Sequence, residues 1–413
     1  MRIAQIAPLH ERVPPKLYGG TERVVSFLTE ELVRQGHDVT LFASGDSITS
    51  AKLVPCCEMA LRLSPSARDA LPYHMIMLDE VCRRIEQFDV LHFHIDVLHA
   101  PLVRDIADRT LTTLHGRLDL PDLASFYAAF PELPLASISN NQQEYLNNVN
   151  WLGTVHHGLP RDLLPFRPNA DGYLVFLGRI APEKRPDRAI EIAERSGMPL
   201  KIAAKVDRVD QAYWEEKIRP MVEANPDVEF IGEINESDKA GLLGGAAALL
   251  FPIDWPEPFG LVMIEAMACG TPVIAYRRGS VPEIIEENVS GFGVDTIEEA
   301  VAAVPRIASL DRAKVRATFE RRFTAERMAR DYVDIYRQLF SACSRPAQFE
   351  MINGRDRGRP AVRSSRRVPY GIDSDGELQI GADRPTAAIA LPDFSDWAAD
   401  PVAGRKAKCR FRR

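Results

Sequence analysis

Strand-length apolar runs alternate with segments of helical period along this chain, and the alternation runs through twice. "RIAQIAP" at 2–8 reads as a buried strand. "TERVVSFLTEELVRQG" follows after a Pro- and Gly-rich loop, with Val24, Val25, Leu28, Leu32 and Val33 at helical spacing and Gly36 as its stop. "HDVTLFAS", "FDVLHFHI", "RTLTTLHG" and "LPLASIS" are further strands. Near residue 173 the pattern restarts. "YLVFLGRI", "PLKIAA", "VEFIGEI", "AALLFPI" and "TPVIAY" alternate with the helical stretches "PDRAIEIAERSG", "QAYWEEKIRPMVEAN", "SDKAGLLGGA" and "FGLVMIEAMACG". Such alternation predicts parallel sheets with helices on both faces. The 413 residues exceed one typical core, so two α/β domains are expected, with a boundary near 165–172. "FTAERMARDYVDIYRQLF" is a final amphipathic helix.

From Cys343 the texture changes to Arg, Gly, Pro and Ser without apolar period, which reads as a disordered tail over 343–413. The tail carries excess basic charge, while the whole chain has a formal net charge of −7. That balance, with no basic body domain, argues against nucleic acid as the main partner. Arg363, Arg366, Arg367 and "RKAKCRFRR" leave room for peripheral contact with a membrane surface. No run approaches the ~20 apolar residues of a membrane span, and the N-terminus lacks a signal-peptide core. Six cysteines without paired spacing fit a reducing compartment, so the expected location is the cytoplasm.

Three stretches carry the chemistry. The first βα junction lacks the GxGxxG of a dinucleotide site and offers "PLHERVPPKLYGGTERVV" instead. Gly19 and Gly20 let a ligand approach the backbone, and Thr21 is placed to cap the helix. In "FLGRIAPEKRPD", Arg179, Lys184 and Arg185 follow a strand, where a parallel sheet presents ligand-binding loops. Arg179 suits phosphate oxygens and Lys184 a point charge beside them; a solvated charged loop is the plainer alternative. In "DWPEPFGLVMIEAMACGTPVIA", Glu257 and Glu265 stand eight positions apart. Phe259, Gly260 and Leu261 open a helix whose N–H groups can face a phosphate. Glu265 lies in an apolar run, where a charge requires hydrogen-bond partners. A ribose diol would serve, and so would an Arg or a backbone N–H in the core.

Together with "RQGHDVTLF", "TLHG", "SISNNQ" and "HHGLP", these stretches resemble the retaining "group 1" glycosyltransferases over residues 1–342. The resemblance implies the GT-B fold: two Rossmann-like domains facing across a cleft. It divides the chain into an acceptor domain at 1–168, a nucleotide-sugar domain at 169–322, a helix at 323–342 returning to the first domain, and the tail. It implies a nucleotide-sugar donor, UDP-glucose first by family frequency, an unknown acceptor and no cofactor. Arg179 and Lys184 would bind the donor diphosphate, Glu257 the transferred sugar and Glu265 the ribose. Backbone N–H groups around Phe259, Gly260 and Leu261 would touch sugar or phosphate. Gly20 and Thr21 would close on the diphosphate, and His115 would stand near the reacting centre. No metal is implied, because cationic side chains and helix N-termini would stabilise the leaving diphosphate.

Arg185 and Ala204 stand where many relatives place glycine, which bears on the shape of the donor site. "HFHIDVLH" puts His92 and His94 on one face of a strand, a spacing compatible with a metal pair but also with a His-rich strand end. "DSD" at 373–375 resembles a metal-binding carboxylate motif but falls in the tail. The rival functions are a GT-B epimerase or phosphorylase, and a non-catalytic nucleotide-sugar-binding protein.

Overall fold

The computed structural model describes residues 1–16 and 19–343, with side chains to 340. The expectations for the tail, including the Arg cluster and "DSD", lie outside the described residues, as does the part of the first loop at 17–18.

The first sheet has seven strands, β1 (Arg2–Ile6), β2 (Asp38–Ser44), β3 (Lys52–Cys57), β4 (Val90–Phe93), β5 (Thr110–Thr113), β6 (Pro134–Ser137) and β7 (Asn150–Thr154). Its order is β3-β2-β1-β4-β5-β6-β7. The second has six, β8 (Tyr173–Arg179), β9 (Leu200–Lys205), β10 (Val228–Gly232), β11 (Ala246–Phe251), β12 (Val273–Tyr276) and β13 (Gly291–Val294), ordered β10-β9-β8-β11-β12-β13. Every pairing in both sheets is parallel. In each sheet the strand order reverses beside the first strand, between β1 and β4 and between β8 and β11. Crevices for ligands open outside the carboxyl ends of such strands.

Central strands are buried on both faces because helices cover both sides, so they read as continuous apolar runs. β3, β7 and β13 were not legible in this way. β3 and β7 are edge strands, partly exposed, and β3 contains Pro55; β13 is four residues long and half glycine. The stretch read as one helix at 211–225 bulges instead. It runs as a short helix Gln211–Tyr213, a π segment Trp214–Ile218 and a helix Arg219–Ala224, with Pro220 at the join. Pro220 lacks the N–H needed to bond the preceding turn.

The final helix, Ala325–Cys343, lies against the first sheet. Met328, Tyr332, Tyr336 and Leu339 share a core with Ile3, Val90 and Leu111 and with Val24, Leu28 and Leu32 of helix Gly20–Arg34.

Candidate functional site

A cleft of about 630 Å³ opens between the carboxyl ends of the two sheets. Gly20, Thr21, His115, Arg179, Lys184, Glu257, Phe259, Gly260, Leu261 and Glu265 all line it. Residues from Gly20 to Glu265 thus meet in one crevice, because each ends a strand of one sheet or the other or lies in the connection that follows it.

From the first sheet come the start of helix Gly20–Arg34 after β1 and His115 two residues after β5. Thr21 is not a cap. The helix begins at Gly20, its N-cap residue is Gly19, and no side chain caps it. With Thr21 inside the first turn, its hydroxyl is no longer placed outside the orphan N–H groups. A Cβ at Gly19 would stand 2.8 Å from Pro15, and one at Gly20 would touch Leu261 of the facing wall at 3.8 Å.

From the second sheet come Arg179, the last residue of β8, and Lys184 in the single turn Pro182–Lys184. Arg179 is embedded in acid. Its Nη2 donates to Glu183 at 2.5 Å, and Asp207 and Asp210 stand 3.8 and 3.6 Å away. Lys184 reaches Glu257 Oε2 at 2.5 Å and lies 4.5 Å from the Trp255 ring centroid. Trp255 Nε1 donates to the same Oε2 at 2.9 Å. The loop carrying Glu257 is pinned from behind: Ser280 N–H donates to the Glu257 carbonyl at 2.9 Å, and Ser280 Oγ to the Phe259 carbonyl at 2.8 Å. Gly260, at φ 78°, is the N-cap of helix Leu261–Ala268, so the helix opens one residue after Gly260 rather than at Phe259. Arg185 occupies the left-handed region at φ 54°, a conformation glycine adopts freely, and its guanidinium is held by Asp187 at 2.9 and 3.0 Å.

Glu265 is 3% exposed, and its Oε1 accepts from Arg23 Nη1 at 2.8 Å and Lys239 Nζ at 2.9 Å. Burial favours the neutral acid, but the two cations outweigh it and hold the carboxyl below its usual range. The buried charge is therefore compensated within the protein, by an Arg as the second sequence alternative allowed and by a Lys besides. Arg23 and Lys239 also line the cleft, and both touch Glu236, at 3.1 and 3.3 Å. Neither was singled out in the sequence, where each sits in an ordinary helical segment. Glu22 is likewise buried beside the cleft, and burial pushes its carboxyl up to about 7.

His115 Nε2 stands 2.8 Å from His94 Nδ1, and its ring stacks on His157 at 5.3 Å. Burial pushes the His115 pKa down to about 3, so the ring is neutral at physiological pH. His92 and His94 do not form a metal pair here. His92 bonds Tyr336 and Thr113, each at 2.7 Å, and His94 bonds Gln5 and His115, each at 2.8 Å, which takes all four ring nitrogens.

Two parallel sheets of this order with a shared cleft define the GT-B glycosyltransferase fold. A model described as "Glycosyl transferases group 1" matches residues 165–322, and one described as "Glycosyltransferase Family 4" matches 18–174. The chain belongs to the group 1 glycosyltransferases and is a glycosyltransferase. An uncharacterized glycosyltransferase of Methanocaldococcus jannaschii is 23% identical over 335 residues, covering 70% of this chain and 85% of that protein. Among solved structures, sucrose-phosphate synthase of Thermosynechococcus elongatus superposes with a TM-score of 0.67 at 20% identity, covering 83% of this chain and 99% of that one. HepE of Anabaena in complex with UDP superposes with a TM-score of 0.62 at 15% identity, covering 82% and 100%.

Proposed function

We propose that this chain moves a hexose, with retention, from a nucleotide-sugar to an acceptor, and that the donor is UDP-glucose. The observation that carries the reading is the meeting of Arg179, Lys184, Glu257 and Glu265 with Gly20, Thr21 and His115 in one cleft. HepE, one of the solved structures of this fold, holds UDP, which supports a uridine nucleotide. On this reading residues 1–168 take the acceptor and 169–322 the donor.

Each role follows from charge and position. The diphosphate gains negative charge as the anomeric bond breaks, and Arg179 and Lys184 stabilise that charge without a metal. A diphosphate entering here competes with Glu183 for Arg179 and with Glu257 for Lys184. The carboxylates hold both cations oriented beforehand, and donor binding exchanges one anionic partner for another. Lys184 and Trp255 both meet Oε2 of Glu257, so Oε1 is the oxygen offered to a sugar hydroxyl. Glu265 offers its second oxygen to the ribose. The N–H groups opening helix Leu261–Ala268 face the sugar or phosphate, and Gly20 and Thr21 close from the other wall. The described thiols, Cys56, Cys57, Cys82 and Cys269, are unpaired, which supports a reducing compartment and with it the cytoplasm.

The test is calorimetric titration of UDP and of uridine into Arg179→Ala, Lys184→Ala and the double variant, each checked for folding. A charge-assisted hydrogen bond contributes about 1.5–3 kcal/mol, so each single variant should bind UDP roughly ten- to a hundredfold more weakly. Uridine, without phosphate, should bind unchanged. Folded variants that bind UDP as tightly as the parent place the donor elsewhere. Release of UDP only when acceptor is present separates a transferase from an epimerase, a phosphorylase or a non-catalytic binder.

A further inference from the structure

Behind His115 runs a chain of buried polar side chains that ends on the final helix. Gln5, His92 and His94 are 0, 0 and 2% exposed and lie side by side on the neighbouring strands β1 and β4 or just past their ends. Gln5 Nε2 donates to Tyr336 Oη at 3.2 Å, and Tyr336 Oη lies 2.7 Å from His92 Nδ1. His92 Nε2 is 2.7 Å from Thr113 Oγ1, which is 3.0 Å from Tyr332 Oη. On the cleft side, Gln5 Oε1 is 2.8 Å from His94 Nε2, and His94 Nδ1 is 2.8 Å from His115 Nε2.

Each of these contacts needs one donor and one acceptor. Tyr336 accepts from the Gln5 amide and gives its own proton to His92 Nδ1. That leaves Gln5 Oε1 facing His94, and an amide oxygen only accepts. His94 Nε2 therefore carries the proton. A neutral imidazole carries one, so His94 Nδ1 accepts, and the donor to it is His115 Nε2. His115 is then left with a bare lone pair on Nδ1. That nitrogen is buried and has no hydrogen-bond partner among the described residues, in a side chain that lines the cleft. Burial keeps His92, His94 and His115 neutral, so no ring escapes the constraint by taking a second proton. A Gln5 amide turned the other way would reverse every donor and leave His115 presenting N–H instead.

We propose that Gln5, His94 and Tyr336 are positioning residues that lock His115 in the Nε2–H tautomer, so that its Nδ1 accepts a hydrogen bond from a hydroxyl of the sugar in the cleft. The sugar half of this statement rests on the function proposed above; the tautomer half does not. The arrangement makes the far helix, 331 residues from Gln5, part of the donor site's chemistry. It also excludes His115 as a proton donor to the departing phosphate.

The test has two readouts on the full chain. Two-bond 1H–15N correlation of the imidazoles, assigned with His115→Gln, reports which nitrogen bears the proton, whether or not the protein turns over. The parent should show a protonated Nε2 and a bare, pyridine-like Nδ1 for His115. Tyr336→Phe removes one oxygen and little volume, and His94→Phe removes the direct acceptor; both should give mixed His115 tautomers. With UDP-glucose as the probe donor, both should lose about tenfold in kcat, with KM for donor within about twofold, because a misoriented proton is felt most in the transition state. A protonated Nδ1 in the parent overturns the proposal. So does an unchanged tautomer in both variants, and so does unchanged kcat in a variant whose tautomer is mixed. If the parent transfers no sugar at all while the His115 signature is as expected, the transferase reading fails and the lock stands.

Discussion

Replacing Glu265 by Gln keeps the side chain's shape and removes its charge from between Arg23 and Lys239. At 2.8 and 2.9 Å each contact is worth roughly 6 kcal/mol of Coulomb energy at an effective dielectric of about 20. Most of that offsets desolvation of a carboxylate that is 3% exposed and a lysine that is 7% exposed. What the substitution exposes is the cost of leaving the cations uncompensated, about 3–5 kcal/mol for a buried pair. Glu236 moderates it, since it already touches Arg23 at 3.1 Å and Lys239 at 3.3 Å, so the low end, ~3 kcal/mol, is expected. The unfolding entropy of a body this size is roughly 0.7 kcal/mol/K, so Tm should fall by about 4 °C in calorimetry. The loss should be nearly independent of salt, because buried pairs are weakly screened. The exposed pair Arg2–Asp89 is the control: Asp89→Asn should cost far less than Glu265→Gln, and less still at high salt. A Glu265→Gln variant melting with the parent, or a loss that disappears at high salt, would refute the account of a buried, compensated charge.

Glu22 should make stability fall with rising pH. The folded protein holds its proton up to about pH 7, whereas a free glutamate releases it near 4.5. Its stabilising effect is full below 4.5 and is lost as pH rises through 7, a swing of about 3 kcal/mol that Glu22→Gln should flatten in urea melts across that range. Gly260→Ala should lower the urea midpoint by the equivalent of about 1–3 kcal/mol, since φ is 78° and the new Cβ would meet Met263 at 2.8 Å and Phe251 at 3.1 Å. Glu257→Gln should damage kcat far more than donor affinity, while Glu265→Gln should weaken uridine binding; the reverse pattern in kinetics and calorimetry would reject both roles. Donor turnover should survive chelator treatment, and activity lost to chelator and restored by Mg²⁺ would show that Arg179 and Lys184 do not suffice.

Local period made the two α/β units readable. Val24, Leu28 and Leu32 recur at helical spacing because one face of Gly20–Arg34 packs on a sheet, and β11 and β12 are apolar throughout, as is most of β8, because helices cover both faces. The ten cleft residues were legible for a related reason. Each sits at the end of a strand or in the loop or helix that follows it, and in a parallel sheet those connections leave from one side. What the cleft residues hold was not legible. Arg23 and Glu265 are 242 residues apart, and Lys184 and Glu257 are 73 apart. Nothing local distinguishes Arg23 from any other helical arginine. Glu265 meets two cations because helices Gly20–Arg34 and Glu236–Gly245 both converge on it. The spacing of His92 and His94 was compatible with a metal pair and equally with a His-rich strand end. Only the approach of Tyr336 from the far end of the chain, with Gln5 and Thr113 from adjacent strands, turns them into a proton-ordered chain. Burial pattern is a property of neighbours along the chain and survives in one dimension; the partner of a buried charge is set by whichever distant segments the packing brings within 3 Å.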